Sequence, residues 1–218
     1  MNFPMEEYLK PTPAINCQAK PIIEKARDLT KGEENIIDKA KRLFYFVRDE
    51  IKYNPYSPFY LLEHYRASNI LLRGEGYCVQ KAALLAALAR ATGIPARLRF
   101  ADIRNYIVPE KQAKSLGTNL YVYHGYDELY IEGNWVKATP AFDIKMCQEN
   151  RIIPVEFDGK NDAVLHSHNQ DGKLHIEYLH DYGHYQDVPL DEILAAWVRA
   201  YGSERVEQFK ITYGKTTR

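Results

Sequence analysis

The chain has 218 residues, of which 45% are apolar and 27% charged, the usage of an ordinary globular protein rather than a disordered one. Its 29 basic residues balance its 29 acidic residues, so the net charge is zero. Dedicated nucleic-acid binders and polybasic membrane-docking proteins carry a basic excess, so the balance argues against both classes. No apolar run is long enough to predict a membrane span.

The chain has three cysteines, Cys17, Cys78 and Cys147. This number is too small, and odd, for a disulfide framework. Free thiols persist in reducing compartments. The N-terminal segment MNFPMEEYLKP has neither the basic nor the apolar stretch of a signal peptide. We therefore expect a cytoplasmic protein.

Helices are predicted in the first part of the chain. The prolines within residues 1–20 indicate an extended arm. Apolar residues at spacings of three and four then predict a helix over Glu33–Tyr53, which the following Asn-Pro pair would end. A shorter helix is expected over Asn69–Arg73.

A glycine-rich turn leads into a second long helix, Cys78–Arg90, which is apolar on most faces and is therefore expected to be buried. The alternation of Ala96–Phe100 predicts a strand. Farther along, Leu120–Glu132 and Trp135–Thr139 flank a Glu-Gly-Asn turn and predict a hairpin.

The C-terminal third is predicted to hold two short strands, Ile153–Phe157 and Leu174–Leu179, and a helix that begins after Pro189. Residues 212–218 are expected to be a flexible tail. Because helices come first and antiparallel strands follow, the order predicts an α+β fold.

Cys78 has three properties of a nucleophile. It lies at the first turn of its helix, where the positive end of the helix dipole lowers a thiol pKa. Gly74 and Gly76 let the turn expose the sulfur. The unpaired N–H groups of the helix end can bind an oxyanion. This context predicts a thiolate nucleophile.

A thiol nucleophile needs a general base, and His124 in the predicted hairpin is the candidate. A third group must orient the imidazole. Four residues of the hairpin region are candidates for that role: Thr139, Asp143, Asp127 and Glu128.

At these residues the sequence resembles the transglutaminase-like superfamily of cysteine enzymes. The matching runs are Gly-Tyr-Cys at residues 76–78, Lys-Ala-Ala-Leu-Leu at 81–85, and Arg-Ala-Thr-Gly-Ile-Pro-Ala-Arg at 90–97. The lead-in Val-Arg-Asp-Glu-Ile-Lys-Tyr at 47–53 and the segment from His124 to the Trp-Val pair at 135–136 also match. The resemblance covers about residues 30–143.

The resemblance implies a papain-like fold, in which the nucleophile helix packs on an antiparallel sheet, and a Cys–His–Asp site that transfers acyl groups through a thioester. The family places its aspartate where this chain has Thr139. We therefore predict that Asp143 completes the triad with Cys78 and His124, with Thr139 as the alternative. The Cys78 N–H would bind the oxyanion, with a second donor sought among Tyr53, Asn54 and Tyr77.

We expect one domain over residues 1–218, with its core at about 30–143, an extension at 144–211 that completes it, and the tail. Four aromatic side chains of the extension are predicted to line the cleft: Phe157, Tyr178, Tyr182 and Tyr185. The polar segment Arg104–Asn119 has the length of a lid.

The predicted function is cleavage or transfer of an amide bond in a peptide, protein or small amide, with hydrolysis favoured and no cofactor or metal. One alternative is a binding module that has lost its chemistry, which Thr139 favours. A lesser one is a metal site built from the C-terminal histidines: His166, His168, His175, His180 and His184.

Overall fold

The computed structural model describes residues 5–108 and 114–214. Seven α-helices lie in this part of the chain: α1 Lys20–Leu29, α2 Ile36–Tyr45, α3 Ala67–Arg73, α4 Cys78–Ala91, α5 Ile144–Glu149, α6 Leu190–Tyr201 and α7 Ser203–Tyr213. The strands are β1 Lys52–Tyr53, β2 Glu75–Gly76, β3 Ala96–Asn105, β4 Leu120–Ile131, β5 Asn134–Ala138 and β6 Ile176–Tyr185. Single 3-10 turns lie at Glu6–Leu9 and Leu62–Tyr65.

Four strands form one antiparallel sheet in the order β5-β4-β3-β6. The two-residue strands β1 and β2 pair in parallel as a separate ladder. The helices precede the main sheet in the chain, apart from α5–α7, and the predicted α+β class is confirmed.

The helix α4 is the centre of the hydrophobic core. Every residue from Val79 to Arg90 is buried, and its many alanines let neighbouring elements approach closely. The closest approach is to β4 at Gly125, where an added Cβ would lie 3.0 Å from the Val79 Cα and 3.2 Å from the Phe100 ring. Only glycine allows this contact, which seats the sheet on the first turn of α4.

Polar side chains of α4 are buried only because they bind backbone carbonyls. Lys81 Nζ donates to the Arg48 and Ile51 oxygens at 2.9 and 2.6 Å. The Arg90 guanidinium donates to Ala96 O, and to two further carbonyls of the N-terminal arm and the segment before α6. Burial lowers the pKa of Lys81 to about 7. These bonds tie α4 to the elements around it.

Several elements differ from the sequence-based expectation. The helix α1 was not predicted. The predicted helix over Glu33–Tyr53 is shorter: α2 starts at Ile36, after the Asn35 side chain caps it, and its end widens into a π-helical turn, Phe46–Glu50. Strands β3 and β6 extend beyond their predicted ends because they pair along their whole length.

The predicted strand Ile153–Phe157 is wrong. Pro154 lacks an N–H for a ladder, and the segment docks on the helices instead. Arg48 donates to Val155 O at 2.7 Å, and the Phe157 ring stacks on Phe44 with centroids 4.9 Å apart.

The C-terminal segment folds as two helices rather than one. Gly202 separates α6 from α7 with a positive φ of 87°, a conformation that glycine adopts without strain. Thr212 and Tyr213 of the predicted tail belong to α7, and the rest of that tail after Gly214 lies outside the described residues. Within the described ranges, no helix has the length and hydropathy needed to cross a bilayer.

Substituting Gly125→Ala should lower the free energy of unfolding by about 1–3 kcal/mol, because the new methyl group overpacks against the Val79 backbone. Urea denaturation followed by circular dichroism measures this change. The variant Leu179→Ala, at an exposed position of β6, is the control and should unfold near the wild-type midpoint. An unchanged midpoint for Gly125→Ala would contradict the packing argument.

Candidate active site

The first turn of α4 is held in place by Gln80. Its side-chain oxygen accepts from Tyr77 N at 3.2 Å, and its amide donates to Pro58 O at 2.7 Å and His64 O at 3.1 Å. The pairing of Tyr53 with Gly76 in the small parallel ladder fixes the preceding turn. Cys78 therefore begins the helix at a defined position.

The Cys78 sulfur is surrounded by backbone amides and by apolar groups. The amides of Gly125, Val79 and Cys78 itself favour the thiolate, as expected at a helix N-terminus. Desolvation is the larger effect, however, and it raises the pKa of the thiol to about 11. The lowering of the pKa expected at a helix N-terminus is thus outweighed by burial.

His124 lies in β4 beside a bulge. Tyr123, the preceding residue, has a φ of +55°, and the register between β3 and β4 shifts at this point. A bulge of this kind re-aims a side chain. The imidazole is buried, which lowers its pKa to about 3, and its Nε2 has no hydrogen-bond partner in the part of the chain that the structure describes.

The two predicted residues meet at one cavity of about 90 Å³, which both Cys78 and His124 line. A nucleophile and an imidazole in one apolar cavity can carry out acyl transfer if the proton moves between them. Their positions agree with the predicted pair, and their catalytic roles remain predictions.

The Asp143 carboxylate is occupied elsewhere. It caps α5 by accepting from Met146 N at 2.8 Å, and its other oxygen accepts from Tyr53 N at 2.8 Å. No hydrogen bond joins it to His124 within the described residues. Its place in the triad stays a prediction, and these two bonds give it a structural role between β1 and α5.

Thr139 directly follows β5, whose last pair with β4 is Asp127–Ala138. The Thr139 hydroxyl is buried and has no geometrically acceptable partner in the described chain. The Tyr178 phenol lies beside it and also packs against the His124 ring at 6.2 Å.

The other two carboxylate candidates do not bond to the imidazole within the described residues. Glu128 accepts from Arg97 at 2.6 Å and from Arg99 at 2.8 Å. Asp127 is fully buried, and both of its carboxylate oxygens lack a hydrogen-bond partner in the described chain. Desolvation raises its pKa well above the ordinary value despite the nearby Arg90 charge.

Among the predicted oxyanion donors, two side chains are already bonded. The Asn54 amide donates to Glu75 at 2.9 Å, and the Tyr77 hydroxyl pairs with Tyr65 at 2.6 Å. Tyr53 lines the cavity, so its phenol remains a candidate.

The aromatic wall of the cavity comes from residues that were not predicted to line it. None of Phe157, Tyr178, Tyr182 and Tyr185 lines it. Helices α6 and α7 supply much of the wall, with Trp197 and Tyr201 one helical turn apart on the same face. The spacing of four residues between these two aromatic side chains was the sequence signal that could have identified them as part of the wall. The wall has the following aromatic side chains: Tyr53, Tyr56, Phe59, Tyr77, Tyr121, Tyr123, Trp197, Tyr201, Phe209 and Tyr213.

The predicted lid lies partly outside the described residues. Arg104 and Asn105 belong to β3, residues 109–113 are not described, and Ser115 and Leu116 line the cavity.

The histidine-based metal hypothesis has no support in residues 5–108 and 114–214, where no group of three or more His, Cys, Asp or Glu side chains could hold an ion. His180 and His184 lie on strand β6 rather than on one helix face.

Two of the solved structures that match this chain do so at low sequence identity. A "Putative Cysteine Protease from Cytophaga hutchinsonii" aligns with a TM-score of 0.52 and 15% identity, covering 85% of this chain and 55% of that one. A "putative protease from Parabacteroides distasonis ATCC 8503" aligns with a TM-score of 0.41 and 14% identity, covering 62% and 25%. This chain thus spans about half or less of each.

No curated protein matches the chain. The sequence model of the transglutaminase-like superfamily matches residues 23–140, a region that includes the whole of α4, His124 and Thr139. The first of the two solved structures shares the fold. The chain therefore belongs to the transglutaminase-like superfamily, as its sequence motifs predicted.

Proposed function

We propose that this chain is a cysteine-dependent amidase or protease that transfers an acyl group from an amide to Cys78 and then, preferentially, to water. The observation that carries the proposal is the cavity that Cys78 and His124 line together, with the sulfur at the N-terminus of a buried helix. Family membership and the fold shared with the Cytophaga hutchinsonii structure support it.

In the proposed mechanism, His124 is a general base rather than half of a preformed ion pair, because burial favours the neutral forms of both groups. The thiol proton passes to the imidazole as the sulfur–carbon bond forms. The tetrahedral oxyanion is bound by backbone N–H groups at the start of α4. The imidazolium then protonates the departing amine, and water attacks the thioester by the same route in reverse.

The third group in this proposal is Thr139 rather than Asp143. Thr139 Oγ1 and His124 Nε2 are both buried, both lack a hydrogen-bond partner in the described chain, and both residues lie near Tyr178. The neighbouring Tyr178 hydroxyl already accepts from Leu165 N at 3.3 Å, so its proton is available to Thr139. A neutral hydroxyl suits an imidazole that is neutral at rest.

The second candidate function is a binding module on the same fold. The observation that favours it is the uncharged threonine at the position where the family has aspartate, since a hydroxyl stabilises imidazolium less than a carboxylate does. Turnover of an activated ester at Cys78 separates the two functions.

The wild-type protein should form a thioester on Cys78 when treated with p-nitrophenyl acetate, and should turn over by releasing acetate. Mass spectrometry of the intact protein and of its peptides measures the adduct. Cys78→Ser should lose turnover, whereas Cys17→Ser, a change at a buried cysteine, serves as the matched control. Equal slow hydrolysis by all three proteins would favour the binding module.

Alkylation of Cys78 by iodoacetamide should accelerate as the pH rises from 6 to 10, by about tenfold per unit, because only the thiolate reacts and the pKa lies above this range. Peptide mapping follows the modified site, with buried Cys17 and Cys147 as internal controls. A fast rate that is already constant at pH 6 would indicate a preformed thiolate–imidazolium pair and contradict the general-base proposal.

Thr139→Val should lower kcat by about tenfold or more, since it removes the hydroxyl at nearly constant volume, and Thr139→Ser should restore most of the rate. Asp143→Asn should leave kcat within about threefold of wild type, because the carboxylate bonds to Met146 N and Tyr53 N rather than to His124, and the amide oxygen keeps one of these two bonds. The opposite ranking, with Asp143→Asn far less active than Thr139→Val, would return Asp143 to the triad. Steady-state ester hydrolysis and thermal unfolding are measured together.

A further inference from the structure

We infer that the acyl group accepted by Cys78 is uncharged, and that it carries a neutral hydrogen-bonding group met by Ser57 and Tyr121. This inference rests on the proposed function and extends it to the substrate class. The two observations that carry it are the composition of the cavity wall and two unpartnered hydroxyls in that wall.

The wall offers no counter-charge. None of the described residues that line the cavity is Asp, Glu, Lys or Arg. The rings are fixed by mutual packing: Trp197 lies 4.7 Å from Phe59 and 6.1 Å from Tyr77, and contacts Tyr201 at 5.9 Å. A charged group placed among these rings would lose its hydration without gaining a partner.

Three tyrosine hydroxyls of the wall are already bonded within the protein. The Tyr201 phenol accepts from Val122 N and donates to Leu120 O, and the Tyr77 phenol pairs with Tyr65. The Tyr123 phenol donates to Glu192. The hydroxyls of these three side chains are therefore already satisfied without a ligand in the cavity.

Two other hydroxyls of the wall differ from these three in having no hydrogen-bond partner in the described chain. Ser57 Oγ and Tyr121 OH both belong to lining residues, both atoms are buried, and neither has a hydrogen-bond partner in the described chain. Ser57 is only 1% exposed. Buried hydroxyls without partners are costly, and a few polar groups in an apolar wall are typical of a ligand pocket. An amide or hydroxyl on the substrate would satisfy them.

Three p-nitrophenyl esters with isosteric acyl groups test the inference: 4-methylpentanoyl, succinamoyl and succinoyl. Because a terminal carboxylate or amide can also expel p-nitrophenoxide by ring closure within the ester, the rate measured with Cys78→Ser is subtracted from each. The expected order of kcat/KM is succinamoyl first, 4-methylpentanoyl second and the succinoyl carboxylate last, by about tenfold or more. Mass spectrometry confirms that each acyl group resides on Cys78.

Variants of the two hydroxyls sharpen the test. Tyr121→Phe and Ser57→Ala should each reduce the preference for succinamoyl over 4-methylpentanoyl by about three- to tenfold, the value of one hydrogen bond. Tyr106→Phe is the matched control, because that exposed phenol bonds to Glu177 outside the cavity. It should leave the preference unchanged.

The outcomes are distinct. Acylation of Cys78 with succinoyl preferred, or a preference that survives both hydroxyl variants, would overturn the substrate class while leaving the proposed function intact. No acylation by any of the three esters or by p-nitrophenyl acetate would overturn the proposed function and this inference with it.

Discussion

The contact between the start of α4 and Gly125 of β4 is the constraint on which the rest of the site depends. It requires a glycine in the strand, because any Cβ would meet the Val79 backbone at 3.0 Å. It brings the strand that carries His124 to the helix end that carries Cys78, and it aims the Gly125 amide at the sulfur. The side chains of Gln80 and Lys81 bind the carbonyls of Pro58 and Ile51, and so fix the same turn of the helix from its other side.

The same close packing affects the pKa values of the Cys78 thiol and the His124 imidazole. A helix N-terminus in water would favour a thiolate, yet removal of water from both groups raises the thiol pKa and lowers the imidazole pKa. A neutral thiol and a neutral imidazole are compatible with general-base attack and with an uncharged third group. An uncharged third group such as Thr139 is therefore consistent with a deeply buried site, since a carboxylate there would carry a large desolvation cost.

Local signals predicted much of the molecule. The small-residue helix after a glycine turn, the hairpin around a three-residue turn and the superfamily motifs were sufficient to identify α4, β4, β5, Cys78 and His124. These features are encoded by residues close together in the chain, where spacing and turn chemistry decide the conformation. The same kind of signal was misleading for Ile153–Phe157, because its apolar residues serve long-range packing on Phe44 rather than a ladder.

By itself, the sequence determined the α+β class, the superfamily, and the identity of the nucleophile and base candidates, because these follow from local periodicity and compact motifs. The tertiary structure alone decided that Asp143 caps α5, that Thr139 and His124 both lie near Tyr178, and that α6 and α7 supply much of the aromatic wall. Each of these depends on contacts between residues far apart in the chain, and their geometry follows from how the helices and the sheet pack, which no short stretch of sequence specifies.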